Sequence, residues 1–225
     1  MNNGYVIKLT GKLFDIENVD RLVKIAETVK EYSGRYRFIL VCGGGGTLRK
    51  WLSKLRESSS ASEYDLDMLG IAFTRLNADI LRLMLKPYSI DYIPESIEEV
   101  LNLIHTTNKI IVLGGISPGF STNAVAAFIA KELGYVLINM TSAGGVYDRD
   151  PSKYSEARII DEIHIEDLIR LLSDRVEHAG SYPLFDMTSL NLIKNYKIST
   201  YVIGPDQEQL IKIFDGGSSG TRIII

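Results

Sequence analysis

The chain has 225 residues, 45% hydrophobic and 24% charged, with a net charge of −3 and a pI near 5.7. That balance supports a sizeable core and argues against a nucleic-acid-binding surface, while a lone cysteine, Cys42, rules out an internal disulfide framework and a cysteine-rich metal site. No apolar run reaches the ~20 residues of a membrane span and no signal-peptide pattern is present, so the expectation is a cytoplasmic protein without membrane association.

In chain order, residues 5–9 read as a first strand, closed by Thr10-Gly11-Lys12. Val19, Leu22, Val23, Ile25 and Ala26 recur at helical spacing and predict a helix over 18–32. Residues 38–41 form a second apolar strand that runs into Gly43-Gly44-Gly45-Gly46, with a helix expected over 47–56. The polar run 58–62 is a link too short to divide domains. A helical pattern covers 67–85, a short strand is expected at 92–94, and Ser96-Ile97-Glu98-Glu99 opens a helix with capping-box spacing. Residues 110–113 are a strand ending in Gly114-Gly115, followed by a polar loop and a helix over 122–133. The strand 135–140 leads into Thr141-Ser142-Ala143-Gly144-Gly145. Helices at 165–172, 187–195 and 207–214 and strands at 200–203 and 221–225 complete the alternation. Strands alternating with helices predict a mostly parallel sheet covered on both faces.

The chemistry gathers in four loops at strand ends: 8–12, 43–49, 114–123 and 141–150. Ligands of such sheets bind at the carboxyl ends of the strands. The glycine run is not a P-loop, since no Gly-Lys-Ser/Thr closes it, and it lacks the spacing of dinucleotide folds. A strand opening through glycines into a helix nonetheless presents backbone N–H groups to a phosphate. Together the loops supply such donors, the cations Lys8, Lys12 and Arg49, and few carboxylates. That inventory suits a nucleotide polyphosphate and phosphoryl transfer, which depends mainly on positioning and charge. Plainer readings stand beside these. Lys8 is otherwise a solvated lysine, Lys12 a surface partner of Asp15, Asp67 a residue welcome near a helix start, and Tyr147 ordinary packing. Arg75 faces a subunit partner or solvent, and Trp51 is core or interface. His105, His164 and His178 lack the spacing of a metal site, and none is assigned.

Lys8-Leu9-Thr10-Gly11-Lys12, Gly43-Gly44-Gly45, Asp67-Met68-Leu69-Gly70, Gly114-Gly115, Pro118-Gly119-Phe120-Ser121-Thr122 and Gly145-Val146-Tyr147-Asp148-Arg149-Asp150-Pro151 follow one another in a telling order. In that order the chain resembles the amino-acid kinase superfamily, and within it the archaeal type of uridylate kinase. Tyr147-x-x-Asp150-Pro151 and Arg75-Leu76-Asn77-Ala78 favour that type over carbamate, glutamate or aspartate kinases. The resemblance implies one domain over 1–225 with a three-layer α/β/α, carbamate kinase-like fold, the acceptor in its N-terminal half and ATP in its C-terminal half. It implies transfer of the ATP γ-phosphate to UMP, with Mg2+ arriving with ATP, and a homo-hexamer.

Residue by residue, the resemblance makes Lys8 and Lys12 the catalytic cations. It assigns Gly11, Lys12, Gly45, Arg49, Thr141, Ser142, Tyr147 and Asp150 to ATP. It assigns Gly44, Asp67 and the loop Ile116, Ser117, Pro118, Gly119, Phe120, Ser121, Thr122 to UMP, with no protein metal ligand. Two positions depart from the pattern. Ser121-Thr122-Asn123 stands where the family reads Thr-Thr-Asp, and Ser142-Ala143-Gly144-Gly145 where it reads Asn-Val-Asp-Gly. Asp186 matches a family aspartate and has an alternative reading as a helix N-cap. A nucleotide-binding paralogue without turnover, and a kinase of the superfamily with another small acceptor, stay open at this level.

Overall fold

The computed structural model describes residues 4–151, 154–176 and 184–225. The elements run β1 (Gly4–Leu9), α1 (Val19–Tyr32), β2 (Arg37–Cys42), α2 (Gly45–Ser58), α3 (Glu63–Met84), α4 (Ile97–Thr106), β3 (Ile111–Leu113), α5 (Thr122–Leu133), β4 (Val136–Met140), β5 (Glu162–His164), α6 (Ile165–Val176), α7 (Met187–Tyr196), β6 (Thr200–Ile203), α8 (Gln207–Phe214) and β7 (Thr221–Ile224). The strands make one sheet in the order β3-β2-β1-β4-β6-β7-β5. β3, β2, β1, β4 and β6 are parallel, whereas β7 runs antiparallel to β6 and β5 follows β7. The chain builds outward from β1 through β2 to β3, then returns to place β4 on the other side of β1. The order therefore reverses between β1 and β4, the position where open α/β sheets bind ligands.

Strand periodicity divides the interior in two. Val6, Ile39, Val41, Ile111, Leu113 and Leu137 point to one face, where α4, α5, α6 and α7 cover them. Tyr5, Ile7, Leu9, Phe38, Leu40, Cys42, Val112 and Ile138 point to the other, under α1, α3 and α8. The second core is knit by aromatic contacts, with Tyr5 and Phe38 each about 5 Å from Phe214 between ring centroids. This is the three-layer α/β/α arrangement expected from the sequence.

Several local details differ from the sequence reading. Residues 92–94 form no strand; Pro94 lacks the N–H a ladder needs, and the edge contact is instead a single bridge between Ser89 and Ile110. α2 begins at Gly45 and α3 at Glu63, earlier than expected. The polar link ends in a closed capping box: Asp65 N donates to Ser62 Oγ (3.2 Å) and Ser62 N to Asp65 Oδ2 (2.8 Å). The Ser62 hydroxyl also donates to Asp65 Oδ2 at 2.6 Å, and this bond, with the one from Ser62 N, holds the Asp65 carboxyl below its usual range. At α4 the box stays open, because Ser96 caps Glu99 while Glu99 accepts from the Glu95 N–H rather than from Ser96. Trp51 is 58% exposed and is not a core residue.

Candidate active site

β1 carries Lys8 to the reversal point of the sheet, where it is 3% exposed. It lies between Val41 of β2 and Asn139 of β4. The next residues turn sharply: the Thr10 hydroxyl caps the 3-10 turn Gly11–Phe14 by accepting from the Lys12 N–H at 3.5 Å. Gly11 then meets the glycine run backbone to backbone, and a Cβ there would stand 1.9 Å from Gly45 N. Gly45 itself has φ +88°, a conformation that favours glycine. α2 begins here without a side-chain cap; the first N–H groups of a helix have no partner within it, a setting that suits an anion. Arg49 follows one turn later on the exposed face. Lys12 is exposed, and Asp15 accepts from the Thr47 hydroxyl at 3.3 Å.

α3 holds two of the loops through backbone groups. Asn77 Nδ2 donates to the Gly43 carbonyl at 2.8 Å. Thr74 Oγ1 accepts from Gly115 N at 2.7 Å and donates to Ile71 O. Arg75 Nε donates to Gly115 O at 3.2 Å and the guanidinium pairs with Glu95 at 2.9 Å, so this arginine stitches the 114–123 loop. Asp67 Oδ2 accepts from Gly119 N at 2.7 Å, which joins two predicted acceptor-site pieces directly. Between them lies a cavity of about 430 Å³ bordered by Asp67, Ile71, Gly115, Ser117, Phe120 and Thr122. Ile116 packs against the α5-side core instead. Asn77 and Thr74 were not singled out from sequence as site residues. A buried Asn or Thr on a helix acquires its meaning from a carbonyl or amide brought in by another element.

The fourth loop is pinned from behind. Thr141 N donates to Ile203 O (2.8 Å), Val146 N to Thr221 Oγ1 (2.8 Å) and Ile160 N to Val146 O (2.8 Å). Tyr147 pairs with Ile159 in an antiparallel bridge, and Asp148 accepts from Arg158 N at 2.9 Å. Thr141 is buried, Ser142 exposed, and Tyr147 and Asp150 half-buried. Gly144 has φ +90°, a backbone conformation that suits glycine and strains other residues. The structure thus sets the four predicted loops at the carboxyl ends of β1, β2, β3 and β4, four adjacent parallel strands.

Cys42 is wholly buried at the end of β2, and burial pushes its thiol far up, away from the thiolate that reaction requires. Native protein treated with iodoacetamide is expected to stay unmodified by intact mass, with one adduct appearing only in denaturant; rapid native alkylation would contradict this burial. His178 lies outside the described residues, and among those described no group of three His, Cys, Asp or Glu side chains is placed to hold a metal ion.

Glycine-rich loops, a helix N-terminus and a buried lysine thus meet at the reversal point of an α/β sheet. The comparisons give the family. The model of the amino acid kinase family matches residues 3–204, and the chain belongs to that family. It is 37% identical over 225 residues to a uridylate kinase of Staphylothermus marinus, covering 99% of both chains. It is likewise 37% identical over 201 residues to one of Methanobrevibacter smithii, covering 88% of each. The crystal structure of uridylate kinase from Archaeoglobus fulgidus superposes with a TM-score of 0.86 at 31% identity over the whole of both chains. Aspartate kinase from Synechocystis shares the fold, with a TM-score of 0.70 at 18% identity.

Proposed function

We propose that this chain transfers the γ-phosphoryl group of ATP to UMP, giving UDP and ADP. Full-length similarity to uridylate kinases carries the choice of substrate; the observation that carries the site is Asp67 bonded to Gly119 beside the 430 Å³ cavity. In this reading the single domain divides its work. UMP sits between Gly44, Asp67 and the loop 116–122, while Gly11, Lys12, Gly45, Arg49, Thr141, Ser142, Tyr147 and Asp150 receive ATP. Lys8 and Lys12 neutralise charge that builds on the transferring group, and the α2 N-terminus orients its oxygens. These cations and N–H groups match phosphate oxygens rather than a bare metal, so Mg2+ enters bound to ATP and is held chiefly by phosphate. A cytoplasmic setting for the reaction is part of the proposal. Among the described residues no helix is long and apolar enough to cross a membrane. Met68, Leu69, Leu76, Ile80 and Leu83 of α3 are exposed together and offer a contact face for the homo-hexamer.

ADP release from Mg-ATP, measured with UMP, CMP, dUMP and no acceptor, tests the reading. UMP-dependent release is the expected result; equal release with every acceptor, or none, overturns it. Asp67→Asn is expected to raise KM for UMP by about 10–100-fold, the range of a lost charge-assisted hydrogen bond, with KM for ATP little changed. An unchanged KM for UMP removes Asp67 from the acceptor site.

A further inference from the structure

We propose that Asn123 and Asn139 act as a pair of positioning residues: by gripping the same backbone carbonyl, that of Leu184, they fix the Asp186 carboxylate beside Ser121 at the acceptor end of the crevice. Asn123 is the second residue of α5, and Asn139 lies within β4, 1% exposed. Asn123 Nδ2 donates to Leu184 O at 3.2 Å and Asn139 Nδ2 to the same oxygen at 2.8 Å. A carbonyl oxygen has two lone pairs, so one acceptor satisfies both donors. Both amides are oriented by this contact, since turning either one around would set oxygen against oxygen. Their own carbonyl oxygens are buried, and among the described residues no donor reaches them. Each amide has therefore been committed to its N–H side.

Two residues further on, Asp186 caps α7, its Oδ1 accepting from Ser189 N at 3.0 Å. Its Oδ2 accepts from the hydroxyls of Ser189 (3.1 Å) and Ser121 (2.5 Å). Ser121 in turn caps α5 by accepting from Ala124 N at 3.0 Å, and it belongs to the loop bordering the acceptor cavity. The start of α5 is thus fastened twice to the segment 184–186, through Asn123 and through Ser121. Asn139 ties the same segment to β4 directly opposite Lys8 in the ladder. The result is a closed ring of contacts that sets a carboxylate and the buried lysine on one frame.

This gives Asn123 a task that an aspartate at that position would not perform. A carboxylate has no N–H to offer, and would face the Leu184 carbonyl as a repelling acceptor. Asn123 is then not an eroded acid but a working donor, with the carboxylate supplied by Asp186.

The kinetic part of the test rests on the kinase reading above; a second measurement does not. Asn123→Asp and Asn139→Val each remove one donor. Backbone hydrogen exchange is followed at Ser189 and Ala124, whose amides bond to Asp186 and Ser121, with the central β1 amides as an internal reference. Exchange at those two sites is expected to speed up about 10-fold or more while β1 is unchanged. In the same variants kcat is expected to fall about 10–100-fold, the penalty of a misplaced group, with KM for ATP unaltered. In an Asp186→Asn background either substitution is expected to add less than about a threefold loss, because effects passing through one group do not multiply. Unchanged protection at Ser189 and Ala124 overturns the proposal whether or not UMP is a substrate, as does a rise in kcat for Asn123→Asp or a full multiplicative loss beside Asp186→Asn. Absence of UMP-dependent turnover in the unaltered protein defeats the kinase reading alone, and exchange then decides. If Asn123→Asp does not fold, Asn139→Val is read by the same measurements.

Discussion

Lys8→Met is expected to lower kcat for UMP-dependent ADP formation by about 10²–10³-fold, the usual loss when one preorganised charge donor leaves a transition state. Methionine keeps the length of the stem, so the change isolates the ammonium. The lysine is 3% exposed at the end of β1, where water screens its charge little. A melt of the variant is run beside the assay, and a folded protein with the lowered kcat would mark Lys8 as a functional charge. A kcat within threefold of the unaltered protein would remove it from the chemistry.

The second large effect belongs to Gly11. Its Cβ would lie 1.9 Å from Gly45 N, 2.4 Å from Gly45 Cα and 2.5 Å from Gly44 C, all backbone atoms that cannot swing aside. Gly11→Ala must therefore push the first loop away from the glycine run, at about 1–3 kcal/mol for overpacking. Since those two loops share the phosphates in the proposed reaction, a displacement near 1 Å is expected to cost about 100-fold in kcat/KM. Gly34, whose Cβ would meet nothing within 4 Å, supplies the control, and Gly34→Ala is expected to leave both Tm and rate unchanged. Equal behaviour of the two variants in urea melts and rate assays would refute the backbone contact.

Most of the architecture was legible because strands buried on both faces leave continuous apolar runs, and because helices such as α5 show unbroken apolar spacing with a serine cap and a closing glycine. β5 was missed for the opposite reason. Its three residues, Glu162–His164, are exposed, buried and exposed, a pattern too short to register. The four loops were visible from their glycines and Lys8 from its place among the cations of those loops, whereas Asp67 came only through the resemblance. Asn77, Thr74 and Asn139 were not legible as site residues, because their bonds run to backbone atoms of Gly43, Gly115 and Leu184, about 30 to 45 positions away. Asp186 was read both ways, as a family carboxylate and as an N-cap; it is an N-cap that also binds Ser121. Gly144, which looked like a lost acid, occupies a φ of +90° that an aspartate would fill only under strain.

The alternation along β1 has one more consequence, for which changes of length this protein tolerates. Val6 and Lys8 share one face while Tyr5, Ile7 and Leu9 face the aromatic core. Inserting or deleting a single residue just before Lys8 would turn it toward Phe38 and Phe214 and bring an apolar neighbour to the crevice in its place. Loops away from the crevice have no such parity, but this six-residue strand can change only in steps of two if the lysine is to keep its side of the sheet.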